Sequence, residues 1–561
     1  MIARIVLLLV LAATIASAQS WEPRRFPIGF WAGPPPDHNT LEAWQTAADC
    51  NFTFTGPRGG FTVEDNLKML DFCAEAGIDA MVTDGRIGWA MTGDPNWKDT
   101  VAEVVADYGD HPALVGYYLQ DEPNYQHFEA LGQIRAEFVR RDPAHLAYIN
   151  LFPTYANVQQ LGAPTYTDHV ERFMEIVAPR VLSYDHYCLL GDGGIRPDYF
   201  ENLAIIRDAA LRHGADPWQI ILSTEHLAYR APTEGEMRWQ AYTSLAYGMK
   251  GLMYFTYWTL ASREENEMYA IVTSEGKPAR LYPIIRDINA EVLALGDTLL
   301  GLTSTAVYHT GEIPAGGTRL GTDAIVRLPA ELPLVVGMFE DAEGAQYALI
   351  VNRDYAEPVE VPVSFLPHVT GVDVISAQTG EPEALELTDR AATLSLRPGG
   401  GKLLRLTTEF AYPQPPEIVN TIDFQFNRDG DAEGWGRQSG MSAPVIADGT
   451  MRATIGGNDP HISRGMLRVP ADTHSALKVR MRITGGADEA QVFWGTADEP
   501  GFRDDKFLNF AIVPDGEWHE YTIPVGEHEK WRGQQIVALR LDPSVGGAVG
   551  ETVEIDSIVG E

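Results

Sequence analysis

Residues 114–124 read LVGYYLQDEPN, an apolar run closed by Gln120, two adjacent carboxylates, Asp121 and Glu122, and a proline. The run has the length and the Val, Leu and Tyr content of a buried strand, and Pro123 cannot donate to a ladder beyond it. Two acids at the mouth of a dry interior are costly unless they have work there.

Seven similar runs share the pattern: FPIGFW (26–31), NFTFTG (51–56), IDAMVTD (78–84), AYINLF (147–152), VLSYDHY (181–187), IILSTEH (220–226) and GLMYFTYW (251–258). Between and after them lie stretches such as VEDNLKMLDFCAEAG, HFEALGQIRAEFVRR, YFENLAIIRDAALRHG and YPIIRDINAEVLALGDTLL, whose apolar residues recur at helical spacing. Eight strand–helix units in about 275 residues is the size and layout of a (β/α)8 TIM barrel, expected here over residues 19–302. From 303 to 408 the helical period disappears and runs such as LVVGMFED, QYALIVNRD and KLLRLTT alternate with Gly and Pro turns, which predicts a β-sandwich. Residues 409–419, opening EFAYPQPP, read as a Pro-rich linker. From 420 to 561 strands return (ALKVRMRIT, AQVFWGT, WHEYTIPV, IVALRLDP), predicting a jelly-roll domain. The fold class is therefore multidomain, a TIM barrel followed by two all-β sandwich domains.

Residues 1–18 place Arg4 before an apolar stretch and end in Ala16-Ser17-Ala18, the layout of a secretory signal peptide. A secreted or periplasmic protein is expected, with no membrane partner. The net charge of −36 repels nucleic acid, which removes that class of partner. Only three cysteines, Cys50, Cys73 and Cys188, occur in 561 residues, too few for a disulfide framework, although one bridge stays open. Oligomeric state is not legible.

In a TIM barrel the active site forms at the C-terminal ends of the strands. Glu122 closes the fourth strand and Glu225 the seventh, and these ends face one another across the mouth. Two carboxylates about 5 to 5.5 Å apart are what a retaining glycosidase needs. Other strand-end residues suited to a sugar are Trp31, Arg58, Asp84, Arg86, Asp185, His186, Tyr187 and His226. The bland alternatives are a helix cap or surface salt bridge for Glu122 and a salt bridge to Arg230 for Glu225. Asp185 is the nearest rival carboxylate. Glu236 is set aside because Thr233-x-x-Glu236 is a capping box opening a helix.

With these two positions in place, the barrel resembles the glycoside hydrolases of clan A. The resemblance implies Glu122 as acid/base, Glu225 as nucleophile, and Trp258 as a stacking tryptophan after the eighth strand. The family usually carries Asn before the acid/base, bonded to the sugar's 2-hydroxyl; Asp121 stands there in this chain and can accept from that hydroxyl but not donate. Residues 236–258, EMRWQAYTSLAYGMKGLMYFTYW, also resemble the passage into strand eight of secreted barrel glycosidases, some of them β-galactosidase-like.

No H-E-x-x-H, C-x-x-C, G-x-S-x-G, Walker loop or dinucleotide fingerprint occurs, so neither a catalytic metal nor another cofactor is expected. The C-terminal stretches DAEGW, DGEWHEYTIPV and VEIDSI resemble carbohydrate-binding-like modules, with Trp435, Trp494, Trp518 and Trp531 divided between core and glycan platform. Acids there such as Asp423 or Asp556 could hold a structural calcium. The expectation is a secreted retaining glycosidase acting on β-linked oligo- or polysaccharide. A glycan-binding scaffold without chemistry and a transglycosylase using the same carboxylates are the alternatives.

Overall fold

The computed structural model describes residues 21–58, 62–264, 268–321, 324–366, 368–408, 418–457, 459–485, 488–545 and 549–561. The signal-peptide expectation and most of the linker lie outside them. The chain forms two compact units, one reaching Thr407 and the other running from Thr408 to Glu561. No helix among the described residues is long and apolar enough to cross a membrane.

The first unit opens with eight parallel strands: β1 (Ile28–Phe30), β2 (Phe54–Thr55), β3 (Asp79–Val82), β4 (Leu114–Asp121), β5 (Leu146–Leu151), β6 (Val181–Asp185), β7 (Asp216–Leu222) and β8 (Gly251–Phe255). They lie in the order β1-β8-β7-β6-β5-β4-β3-β2. Closure between the end strands comes from Thr53 N donating to Ile28 O and Gly56 N to Phe30 O, each at 2.8 Å. The sheet is therefore a barrel.

Each strand is followed by a helix: α1 (Leu41–Asp49), α2 (Val63–Ala76), α3 (Trp97–Tyr108), α4 (Phe128–Arg141), α5 (Tyr166–Ile176), α6 (Tyr199–His213), α7 (Glu234–Ala246) and α8 (Tyr282–Gly301). Their boundaries follow local chemistry. Thr62 caps α2 by accepting from Asp65 N, and Gly77, in the left-handed region, ends it. Thr233 and Glu236 form the expected capping box on α7.

Alternate strand residues point inward and fill the barrel. Phe54, Met81, Val115, Tyr148, Trp218, Ile220 and Met253 make this inner core, and Trp21 packs edge-on to Trp218 with ring centroids 5.9 Å apart. Trp31, Tyr118, Tyr187 and Phe255 rest half-buried on that core. They form the floor of the mouth.

Residues 303–408 build two antiparallel sheets, one of six strands and one of three. They cover the outer face of α7, which is why Glu236 to Ala246 are all buried although the helix has little amphipathic contrast. Burial on all sides brings charge with it: Glu291 of α8 accepts from Arg238 Nη1 at 2.7 Å, Arg397 Nη2 at 2.5 Å and Tyr242 OH at 2.8 Å. Each charge in this knot is matched.

The second unit is a sandwich of two antiparallel six-stranded sheets, one built around Leu477–Ile483 and Thr552–Gly560, the other around Glu489–Thr496 and Gln535–Asp542. Trp435, Trp494 and Trp531 are buried in its core. Trp518 is half-buried, with Arg480 and Arg482 over its ring at 5.1 and 4.8 Å. Cys50, Cys73 and Cys188 are free thiols, all buried.

Candidate active site

The fourth strand contains an irregularity that decides what faces the mouth. Tyr118 pairs with Tyr148 of β5, but the next paired residues are Gln120 with Ile149 and Asp121 with Asn150, so Leu119 is an extra residue in the ladder. Parallel neighbours in register share a face; this bulge turns Asp121 inward beside Asn150, where simple alternation from Tyr118 would have turned Gln120. Glu122 follows with its N–H bonded to Asn150 O at 2.8 Å and its backbone at φ 41°. A glutamate in the left-handed region costs of order 1–3 kcal/mol, a strain that clusters at functional sites.

Three carboxyl groups meet here. Asn150 Nδ2 donates to Asp121 Oδ1 at 3.2 Å and to Asp185 Oδ1 at 2.9 Å, which engages both amide protons. Ser183 Oγ donates to Asn150 Oδ1 at 3.2 Å and lies 2.7 Å from the Tyr148 hydroxyl. Ser183 has one proton, so Tyr148 supplies the other bond, and the orientation of the amide is fixed from below. Glu122 in turn hydrogen-bonds to Asp185. Two carboxyl groups in such contact share a proton.

The electrostatics follow. Asp121 is open to the mouth yet walled in by protein, and desolvation raises its pKa to about 6 against the bond from Asn150. Glu122 is raised to about 7, by burial first and then by the charge on Asp121, with the hydrogen bond to Asp185 opposing. Asp185 is buried and raised well above the carboxylate range by desolvation and by both neighbours. Around neutral pH the cluster holds at least one proton beside a negative charge, which is the condition for general acid work.

Glu225 lies three residues beyond β7, half-buried, its carboxylate with no hydrogen-bond or ion-pair partner among the described residues. Its neighbours place the segment at the mouth: His226 packs edge-on to Tyr187 at 5.4 Å and against Phe255 at 5.1 Å. Burial lowers the His226 pKa, keeping the ring neutral. Arg230 pairs with Glu236 at 2.5 Å rather than with Glu225.

The remaining strand-end residues divide. Trp31 stands edge-on to Tyr118 at 5.7 Å and Tyr187 lies 5.1 Å from Phe255, both on the floor. Four others turn away. Arg58 is buried, donating to Pro34 O at 3.0 Å, Met69 Sδ at 3.0 Å and Asp65, so its guanidinium ties the β2 loop to α2. Asp84 accepts from Arg86 Nη2 and Tyr108 OH, each at 2.7 Å, and Arg86 reaches Asp107 at 2.6 Å, so this pair fastens the β3 loop to α3. His186 points outward between Tyr155 and Tyr199, 3.6 Å from Asp198.

Trp258 departs from the position that the resemblance implies. β8 ends at Phe255, and the Phe255–Thr256 peptide is cis. Trp258, three residues on, is only 6% exposed, against His38 at 5.1 Å and beneath Gly276, where an added Cβ would meet its ring at 2.7 Å. Phe255 holds the inward place at the end of the strand.

Sequence reading overlooked Asn150, Ser183, Tyr148, Tyr118 and Phe255. The signal was present in the two-residue period: Tyr148 and Asn150 share a face of β5, and Ser183 and Asp185 a face of β6.

In the second unit, Asp459, His461 and Asp542 are the one group of metal-type ligands close together among the described residues, and Arg540 pairs with both acids. Asp556 pairs with Arg480 at 2.8 Å, and Asp423 accepts from Gln425 at 2.7 Å.

No protein-family model matches the chain, and no curated protein does. Among solved structures it is similar to a β-galactosidase from Bacillus circulans sp. alkalophilus, at 10% identity over 68% of this chain and 99% of that one, TM-score 0.47. It is similar to the glycoside hydrolase family 30 subfamily 8 xylanase Xyn30A from Clostridium acetobutylicum, at 12% identity over 69% and 96%, TM-score 0.38. A third, a β-galactosidase from the psychrophilic Marinomonas ef1, aligns at 11% identity and TM-score 0.38 over 50% of this chain, which spans 62% of that protein's length.

Proposed function

We propose that the protein is a glycoside hydrolase of the retaining type, with Glu122 as proton donor and Glu225 as nucleophile. The observation that carries the reading is Glu122 itself: a strained, half-buried carboxyl at the end of β4, raised to about 7, above an aromatic floor. Protonated Glu122 donates to the leaving oxygen as Glu225 attacks the anomeric carbon, forming a glycosyl ester and releasing the aglycone. Glu122, now ionised, takes a proton from the water that cleaves the ester.

The hydrogen bond between Asp185 and Glu122 favours Glu225 over Asp185 as the second carboxylate. Asp185 is buried and hydrogen-bonded to Glu122, whereas a retaining pair needs about 5 to 5.5 Å between its carboxyl groups. Asp185 then serves as a positioning residue that shares a proton with the acid. Trp31, Tyr118, Tyr187 and Phe255 offer apolar faces to the C–H face of a pyranose, and Asp121 offers an acceptor to a hydroxyl. The signal-peptide layout of residues 1–18 supports export.

The test is hydrolysis across aryl glycosides and β-linked polysaccharides by wild type, Glu122→Gln and Glu225→Gln. Loss in both variants, with azide restoring turnover to Glu225→Ala as a glycosyl azide of inverted configuration, supports the pair. A wild type that binds glycans and cleaves none moves the protein to a non-catalytic glycan-binding role.

A further inference from the structure

The loop after β3 is fastened at several points. Arg86 is bonded to Asp84 and Asp107, Ile87 N donates to Asp84 O at 3.0 Å, and Ile87 and Met91 sink against the core. Between these two apolar anchors Trp89 stands outward, 42% exposed. Its ring lies flat on His127, with centroids 4.1 Å apart and planes 7° apart. His127 sits five residues after Glu122, immediately before α4, and burial lowers its pKa so that the stacked imidazole is neutral.

A large ring backed on one side, held by a pinned loop and bare on the other side has the build of a stacking surface. Trp89 and His127 lie on loops, after β3 and β4, that leave the C-terminal ends of their strands, the end of the barrel at which Glu122 stands. An indole face matches the C–H face of a pyranose, and a rigid platform loses little entropy on binding.

We infer that Trp89, backed by His127, is a sugar-binding platform outside the barrel centre, taking a further pyranose unit of a substrate that extends from the mouth past Glu122. The inference rests on the glycosidase reading and deepens it: the substrate is a chain of sugars rather than a single glycoside.

The experiment compares kcat/KM for an aryl monoglycoside and for oligosaccharides of two to six units in wild type, Trp89→Ala and Trp89→Tyr, with melting temperatures to confirm folding. The ratio of oligosaccharide to monoglycoside kcat/KM falls about tenfold in Trp89→Ala, mainly through KM, and Trp89→Tyr recovers most of it. A ratio that stays at the wild-type value, or an equal loss on both substrates, overturns the platform and leaves the glycosidase standing. If wild type cleaves none of the substrates, the glycosidase reading fails, and calorimetric titration with the same oligosaccharides decides the platform. About tenfold weaker binding by Trp89→Ala sustains it, and unchanged or undetectable binding in both proteins overturns it.

Discussion

Asp121→Asn isolates the charge that sits next to the proposed acid. In wild type Asp121, with a pKa of about 6, is about nine-tenths ionised at pH 7. Its charge is the second-largest cause, after burial, of the rise that carries Glu122 from 4.5 to about 7. Two carboxylates roughly 6 Å apart at an effective dielectric near 40 repel by about 1.4 kcal/mol, or one pKa unit. Asparagine keeps the shape and removes the charge. The alkaline limb of kcat/KM, which reports the acid's pKa in the free enzyme, is expected near pH 7 in wild type and about one unit lower in Asp121→Asn. The assay is a pH–rate profile on a substrate with a poor leaving group. A dinitrophenyl glycoside, whose departure needs little proton donation, serves as control and shows a weakened limb in both proteins. A limb that stays in place in Asp121→Asn, or moves to higher pH, refutes the account of why Glu122 is raised.

Glu122→Gln tests the same rise through stability. A carboxyl raised in the folded state contributes stability fully present below pH 4.5 and lost as pH climbs through about 7; the variant lacks that loss. Chemical denaturation is expected to find it about 1–3 kcal/mol more stable than wild type at pH 8 and equal near pH 4. Glu291→Ala takes from the buried Arg238 its buried partner, leaving only the exposed Glu234, and lowers stability by about 3–5 kcal/mol in the same assay. All three cysteines are buried thiols, so a thiol reagent reads none in the native protein and three in denaturant; fewer than three in denaturant would indicate a bridge.

The barrel was legible because its determinants are periodic. Eight apolar runs appear as eight strands, and even the two-residue β2 was visible as NFTFTG. The mouth was legible only in part, because a strand's end in sequence does not say which way a long side chain turns. Arg58, Asp84 and Arg86 lie at strand ends, but partners on the following helices, Asp65 on α2 and Asp107 and Tyr108 on α3, take them up, and strand periodicity does not show those pairings. Trp258 misled for a related reason: the run GLMYFTYW continues three residues past the ladder, and the Trp ring that closes the run packs against His38 and Gly276.

The bulge at Leu119 shows why such information is absent from the pattern itself. Strict alternation from Tyr118 turns Gln120 and Glu122 inward and Asp121 outward, which suits a lone acid/base glutamate. One unpaired residue reverses the parity, seats Asp121 against Asn150, and forces Glu122 into the left-handed backbone where it meets Asp185. The consequence is chemical as well as geometric: a carboxylate now stands inside the mouth beside the acid and holds its proton on to higher pH. No residue type in YYLQDEP announces a bulge, since Leu119 is an ordinary strand residue whose side chain is buried on the outer face of the barrel. The register depends on the partner strand, where Asn150 binds Glu122 through its backbone carbonyl and Asp121 through its side chain. Removing that side-chain contact while keeping the volume, as in Asn150→Leu, strips Asp121 and Asp185 of their shared donor and is expected to raise both pKa values further; less charge then stands on Asp121 near neutral pH to hold Glu122 up, so the alkaline limb moves down, the same sign as Asp121→Asn.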